Sequence, residues 1–322
     1  MLHQLVEHLR HSAGILHKQD IQLVAQGWAD APVMLGDDCA AIPDGEGYLL
    51  LAAEGILPQL VASEPWFAGW CAVMVNISDI AAMGGRAIAV VDTLWSQSTD
   101  TANLLWQGMQ AAAQAYAVPI VGGHTNQHSP YDALSVAIMG RATRLISSFN
   151  AQPGDMLLLA VDFNGKAHPR YPFWNAATEA DPIQLRRNLA ILPALAEAGL
   201  CDAGKDISMG GIVGTLLMLL ETSCCGAVLR VDQIPCPAGV PLERWLIAFP
   251  SYGFLLSVRP DRVTAVQAQF RQQQLVCEAI GSVTATRQLW LQQQTAGTTE
   301  SVLFWDLAQM PLMGLTPPEA DL

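Results

Sequence analysis

The sequence predicts an α/β (α+β) fold in two domains, residues 1–150 and 151–322, and three observations carry that reading. Apolar runs and amphipathic stretches alternate through the first half in the order β-α-β-α-β-β. A turn-rich segment, Ala151–Gln152–Pro153–Gly154–Asp155, separates that series from a second one that opens on a fresh apolar strand. At 322 residues the chain exceeds one typical core, so two domains are the natural division.

Each element has a local reason. Tyr48–Ala53 is an unbroken apolar run, as expected of a strand covered on both faces. From Trp66 to Met83 the apolar residues fall at 66, 67, 70, 73, 74, 77, 80 and 81, a helical spacing that Gly84–Gly85 ends. Ala87–Trp95 reads as a strand, Thr101–Tyr116 as a helix, and Val118–Val121 as a short strand that runs into a Gly122–Gly123 turn. Leu134–Met139 is the last strand of this half, and the pattern leaves one sheet face exposed. In the second half Met156–Val161, Ala227–Val231, Phe254–Val258, Val276–Ile280 and Gln288–Gln292 read as strands. Pro182–Ala198, Met209–Thr222 and Asp261–Gln273 read as helices, and Asn164–Asn175 as a long loop rich in proline and aromatics.

Composition narrows the class of function. Sixteen Lys plus Arg against 29 Asp plus Glu give a net charge of −13, which argues against nucleic acid or an anionic membrane as partner. A nucleotide stays compatible with that charge, because metal ions bridge carboxylates to phosphates. The opening residues, with His3, Glu7, His8, Arg10 and His11, do not form a signal segment, and no apolar run reaches the about 20 residues of a membrane span. Seven cysteines without a CxxC pair predict reduced thiols in a cytoplasmic protein, and Cys224–Cys225 reads as buried small residues at a helix end ahead of the alternative, a redox-active pair. Hydrophobic residues at 51% and charged residues at 14% point to surface buried between subunits.

The candidate site residues are mostly carboxylates in apolar company. In Gly36–Asp37–Asp38–Cys39–Ala40–Ala41–Ile42 two adjacent carboxylates suit a hard cation such as Mg²⁺, although a lone acidic loop tip has the same letters. Asp79 is the one charge in the Trp66–Met83 helix, and Ala72, Val75, Ala82 and Met83 fill what would otherwise be its charged face. An enclosed carboxylate is costly without compensation, which a metal or a buried cap supplies. Glu54 ends an apolar strand, a position that lines clefts. Gly122–Gly123–His124–Thr125 lets backbone amides approach a phosphate, as a plain turn would also allow. Lys205–Asp206–Ile207–Ser208–Met209–Gly210–Gly211 precedes a helix that Ser208 is placed to cap, with Gly210 and Gly211 at a phosphate seat or an ordinary helix start. With three lysines in the chain, Lys18 and Lys205 are candidate phosphate contacts, and Lys18, His124 and Lys205 are the candidates for catalysis. Walker A, GxGxxG and GxSxG patterns are absent.

Together these segments resemble the superfamily of aminoimidazole ribonucleotide (AIR) synthetase, thiamine-monophosphate kinase, selenophosphate synthetase, the hydrogenase maturation protein and formylglycinamidine ribonucleotide synthetase. GDDCAAI is similar to its GDDAAV segment, and Asn76–Ile77–Ser78–Asp79–Ile80–Ala81–Ala82–Met83–Gly84–Gly85 to its NxSDIxAMGG helix. Val121–Thr125 resembles the GGHS or GGDT turn, PGDMLLLAV the start of the second domain, and Ser251–Pro260 the late GxxLxVxP strand. The match runs most of the chain in order and looks nearest to the "AIR synthase-related" branch.

The resemblance implies ATP and Mg²⁺ as cofactors, with Asp37, Asp38, Glu54, Asp79 and Asp206 on the metal and Asn76, Gly122, Gly123, His124, Gly210 and Gly211 near the nucleotide. It implies a homodimer whose N-terminal domains pair into a shared β-barrel, and a C-terminal α/β sandwich domain. The implied chemistry is transfer of the γ-phosphoryl to an amide or carbonyl oxygen of a small nitrogenous metabolite, making a leaving group that nitrogen displaces. A small-molecule kinase and a non-catalytic nucleotide-binding subunit are the alternatives. Several departures bear on the choice. Glu54 replaces the usual Asp, His124 replaces the Asp of GGDT, and Met209 replaces the second Asp of the kinase-type DVSDG. No cysteine precedes Cys39, which argues against selenophosphate synthesis, and the ending Glu319–Ala320–Asp321–Leu322 lacks the maturation protein's reactive cysteine.

Overall fold

The computed structural model describes residues 2–25, 33–295 and 297–315; the ending Glu319–Leu322 lies outside them. The chain divides into two compact units, each discontinuous in sequence. One comprises residues 38–145 and 177–197, the other residues 1–37, 146–176 and 198–322.

The first of these carries a five-stranded sheet of β1 (Ala40–Asp44), β2 (Gly47–Gly55), β3 (Arg86–Trp95), β4 (Ile120–Asn126) and β5 (Ala133–Ala142), in the order β1-β2-β5-β3-β4. Only the β3–β4 pair in it is parallel, because the Thr99–Tyr116 helix crosses over between them. Ser98 caps that helix by accepting from Thr101 N–H. The Pro65–Ala82 helix begins on Pro65 and packs on β2, β3 and β5, and fifteen of its residues are buried, from Ala68 to Ala82. One sheet face is therefore covered by helix. The other is apolar and open: Ile42, Leu51, Val91 and Met139 are 41–49% exposed, and the pairing of Leu51 with Met139 sets the register of that face.

Strand β4 corrects the expected turn. It runs on through Asn126, so Gly122 and Gly123 lie inside a strand. The parallel partner β3 supplies the hydrogen bonds that a four-residue apolar pattern did not announce. The expected Pro182–Ala198 helix is two, Pro182–Leu189 and Ile191–Glu197, with Asp181 capping the first.

The second unit is built on seven strands: β6 (Met156–Val161), β9 (Ala203–Asp206), β10 (Gly226–Arg230), β12 (Gly253–Val258), β13 (Val276–Thr284), β14 (Gln288–Thr295) and β15 (Thr298–Asp306), in the order β15-β14-β10-β13-β6-β12-β9. Short strands β7 (Lys166–Ala167), β8 (Phe173–Asn175) and β11 (Phe249–Pro250) form a small separate sheet, so the expected 164–175 loop is a hairpin stacked through His168, Tyr171 and Phe173. The Gly211–Thr222 helix is buried throughout. All seven cysteines are free thiols, and burial pushes Cys71, Cys201 and Cys277 up to about 12. Cys225 is buried as expected, whereas Cys224 is exposed at φ 54° just past the helix.

Both ends of the second unit are tied to its helix. Glu221, wholly buried, accepts backbone N–H bonds from Leu312 (3.0 Å), Met313 (2.6 Å) and Gly314 (3.0 Å). Gln22 donates to the carbonyls of Pro311 (2.9 Å) and Leu312 (2.8 Å), linking the N-terminal arm to the same segment. Truncating the carboxylate strands the buried amides of Leu312 and Met313 and the part-buried amide of Gly314, and each buried one costs on the order of 1–3 kcal/mol. Glu221→Ala is expected to lower unfolding stability by about 3–5 kcal/mol, as for other broken buried charge networks. Denaturant titration measures this, and hydrogen exchange at residues 312–314 should accelerate with it; an unchanged midpoint would contradict the assignment.

Candidate functional site

The Pro65–Ala82 helix places the central carboxylate. Asp79 is 6% exposed and is the one charged residue in an eighteen-residue helix. One turn earlier Asn76 is fully buried; its Nδ2 donates to Ala72 O at 2.8 Å, and its Oδ1 has no donor among the described residues. Asp38 is half-buried in the turn before β1. Carboxylate oxygens of Asp38 and Asp79 lie within 4.8 Å of each other. Mg²⁺ takes oxygen ligands at about 2.1 Å and spans trans ligands about 4.2 Å apart, so the pair fits one such ion with little movement. Two like charges held this near repel, and a cation between them relieves that repulsion.

The neighbouring Asp37 has a different setting. Its carboxylate accepts from Ser147 Oγ (2.6 Å) and Ser148 N–H (3.0 Å) within the other unit. The adjacent aspartates thus separate into a hydrogen-bonded anchor and a half of the carboxylate pair. Glu54 stands exposed near the end of β2, and its backbone carbonyl accepts from Ser135 Oγ at 3.0 Å.

Sequence reasoning missed Asp92. Across the sheet Glu54 pairs with Val136, Val136 with Asp92, and Asp92 with Gly123, so these four residues share one row. Asp92 is 6% exposed, and its Oδ2 has no hydrogen-bond partner among the described residues. Burial holds its carboxyl above the ordinary aspartate range. Gly123 is what makes room: a Cβ there would collide with the Asp92 carboxylate. Gly122 has no such constraint, since a Cβ would meet Val91 at an ordinary 3.9 Å. Gly122 and His124 are exposed along β4. The signal available in the sequence was the one used for Asp79, a single charge in an apolar run, Ala89–Val90–Val91–Asp92–Thr93–Leu94–Trp95.

In the second unit β9 ends in Lys205 and Asp206, each 5% exposed. The following helix begins at Gly211, not Met209, and Gly210 is its N-cap without a side-chain bond. Ser208 is therefore not the cap; its backbone N–H donates to Thr215 Oγ1 at 3.3 Å, and its hydroxyl oxygen is buried without a partner among the described residues. Gly211 has a packing reason of its own, φ 65° and a Cβ position that would strike the Leu246–Ile247 backbone. Lys18 sits half-buried in the 3₁₀ turn His17–Ile21.

Residues 36–142 match the AIR synthase related protein N-terminal domain, and residues 153–292 match the C-terminal domain of the same family. The chain belongs to the AIR synthase-related family. Within it, a protein of Synechocystis sp. described only as uncharacterised is 57% identical over 324 residues, covering 98% of this chain and 99% of that protein. An uncharacterised protein of Methanocaldococcus jannaschii is 33% identical over 94% of this chain and 96% of its own length. A thiamine-monophosphate kinase of Pyrococcus horikoshii is 30% identical over 62% of this chain and 67% of that enzyme. Two solved structures share the fold. The one described as AaThiL complexed with AMPPCP and TMP has a TM-score of 0.67 at 20% identity, covering 86% of this chain and 92% of that one. Thermotoga maritima PurL complexed with ATP has a TM-score of 0.69 at 18% identity, covering 94% of this chain and 53% of that one.

Within the AIR synthase-related fold, the burial of Asp92 generates a stability test. A carboxyl whose folded pKa lies above its unfolded value binds more protons when folded, so stability falls as pH rises through that window. Asp92→Asn removes the buried charge and is expected to melt above the wild type at pH 7. The difference should shrink as pH is lowered towards the ordinary aspartate value of 3.8. Thermal denaturation from pH 4 to 8 reads both; a variant melting below the wild type at pH 7 would contradict the buried-charge account.

Proposed function

We propose that this protein is a magnesium-dependent, ATP-using synthetase or phosphotransferase that acts on a small nitrogenous metabolite. The observation that carries the reading is the Asp38–Asp79 carboxylate pair, with Asp79 buried in an otherwise uncharged helix. Hard oxygen donors of this kind suit Mg²⁺ on nucleotide phosphates. The thiamine kinase relatives and the nucleotide complexes of the fold neighbours support ATP as the phosphoryl donor.

In this reading Asp38 and Asp79 would hold Mg²⁺, which would supply charge neutralisation for the transferring phosphoryl group. Asp37, Glu54 and Asp206 are the further carboxylates that the family resemblance assigns to metal, and Asp37 also accepts hydrogen bonds from Ser147 and Ser148. Gly122 offers an exposed, sterically unobstructed backbone to a phosphate. Lys18, His124 and Lys205 are the candidates to contact phosphate or move a proton. The substrate oxygen attacks the γ-phosphorus, ADP leaves, and a nitrogen nucleophile then displaces inorganic phosphate from carbon. Met209, in place of a carboxylate of the thiamine kinase pattern, favours this synthetase chemistry; the kinase relatives favour release of a stable phosphorylated product.

Isotope labelling separates the two. ATP consumption is screened against amides, amidines and carboxamides, and the active acceptor is prepared with ¹⁸O in its carbonyl. Label in inorganic phosphate is the expected result. Label retained in an isolable phosphorylated product would make the protein a kinase, and no acceptor-stimulated turnover would make it a nucleotide-binding subunit.

The open apolar face of the five-stranded sheet supports a homodimer joined through that face in the barrel arrangement the family resemblance implies. Obligate interfaces of this type bury above about 2,000 Å². Sedimentation at sub-micromolar concentration should show a dimer that Leu51→Glu dissociates. A folded wild-type monomer there would sink the dimer proposal.

A further inference from the structure

We propose that Thr222 and Leu315 are positioning residues for Asp38, holding the Gly36–Asp37 backbone from which its side chain projects. That role presupposes the reading of Asp38 and Asp79 as a magnesium site; the holding contacts themselves do not.

The segment that presents Asp38 has no regular structure of its own. Residues 36–39 belong to no helix or strand, and Asp37 and Asp38 are half-buried. Its holds come from far along the chain. Gly36 has φ 116°, a conformation suited to glycine, and a Cβ there would lie 2.9 Å from Thr222 Cγ2 and 3.4 Å from Leu315 Cβ. The backbone therefore rests directly against both side chains. Asp37 supplies a second hold. Its carboxylate accepts from Ser147 Oγ (2.6 Å) and Ser148 N–H (3.0 Å), and the Ser148 carbonyl accepts from Thr222 Oγ1 (2.8 Å) and Ser223 Oγ (2.6 Å).

Thr222 thus reaches the segment twice, by its methyl on Gly36 and by its hydroxyl through Ser148 to Asp37. The contact to Ser148 is the shortest that this hydroxyl makes, ahead of Met218 O (3.0 Å) and Leu219 O (3.2 Å) in its own helix. A valine would fill the same space, so the hydroxyl is what links the helix end to Asp37. Leu315 is fixed in its turn, because the three residues before it donate their backbone N–H groups to the buried Glu221 carboxylate.

These holds act on one half of the carboxylate pair. Asp38 and Asp79 oxygens lie within 4.8 Å of each other, and like charges at that range push apart. An unheld segment would let Asp38 swing into water, and gathering it back around a cation would cost conformational entropy. Outer groups that orient metal ligands are worth about 10- to 100-fold in metal affinity.

Leu315→Ala and Thr222→Val in the full-length protein each remove one hold, the first the apolar contact at Gly36 and the second the hydroxyl link to Ser148. Hydrogen exchange follows the Ser148 amide, whose acceptor is Asp37. Exchange there is expected to accelerate about tenfold in both variants, a local opening that leaves strand β6 at its wild-type rate. Calorimetry with a non-hydrolysable ATP analogue gives the Mg²⁺ concentration for half-maximal binding, which is expected to rise about tenfold. Saturating Mg²⁺ should restore wild-type analogue affinity in both variants, since both carboxylates remain, and should fail to restore Asp79→Asn. Leu315→Ile keeps the contact and should match the wild type in both readouts. Should one of the two variants not fold, the other carries both measurements. Variants that melt earlier yet keep the wild-type Mg²⁺ requirement would overturn the proposal, whatever the exchange rate, by making the role structural alone. An Mg²⁺ requirement that rises without faster exchange at Ser148 would overturn the route through Asp37. Wild-type analogue binding that needs no Mg²⁺ would sink the magnesium reading and the metal half of this one, while exchange at Ser148 would still decide whether the two residues hold the segment.

Discussion

Taking a carboxylate out of water costs several kcal/mol unless a cation or a set of donors compensates. This protein buries carboxylates repeatedly, and it compensates them in different ways. Glu221 receives three backbone amides, and Asp37 receives a hydroxyl and an amide, so both act as anchors for chain segments. Asp79 instead lies beside another carboxylate, Asp38, in a helix with no other charge. Asp92 lies in an apolar strand with one oxygen lacking any donor among the described residues.

The surrounding elements follow from that constraint. The Pro65–Ala82 helix is buried almost all round, and its polar residues Asn76 and Asp79 are buried with it. Glycine at 123 opens the space that the Asp92 side chain fills, and the parallel pairing of β3 with β4 fixes the two residues opposite each other. The other face of the same sheet is apolar and uncovered. A sheet with helices on one face and an open hydrophobic face on the other has a natural use as a subunit interface.

Much of this was readable from residue pattern, where the pattern was local. Helical spacing placed the Pro65–Ala82 helix to within a residue at each end, and the unbroken run Met156–Val161 gave its strand bounds as observed. Asp79 was identified because an uncharged helix face cannot be solvent. Asp92 is less legible, since one acid in the ten-residue strand Arg86–Trp95 looks like an edge position until its neighbours are known. Gly122–Gly123 were assigned to a turn because glycine marks turns more often than strands, and only the parallel partner keeps β4 extended. Ser208 matched a capping pattern, but the chain enters the helix two residues later, with Gly211 packed on Leu246–Ile247. The ties from Glu221 and Gln22 to residues 311–314 join segments far apart in sequence, which no periodicity reveals.

The central claim is that Asp38 and Asp79 form a magnesium-nucleotide site, and its most direct measurement is a calorimetric titration of an ATP analogue with and without Mg²⁺. The account predicts wild-type binding that depends on Mg²⁺, reduced more than tenfold in Asp79→Asn, a loss of at least about 1.4 kcal/mol. Nucleotide affinity that is the same in Asp79→Asn as in the wild type, with Mg²⁺ present, would contradict it.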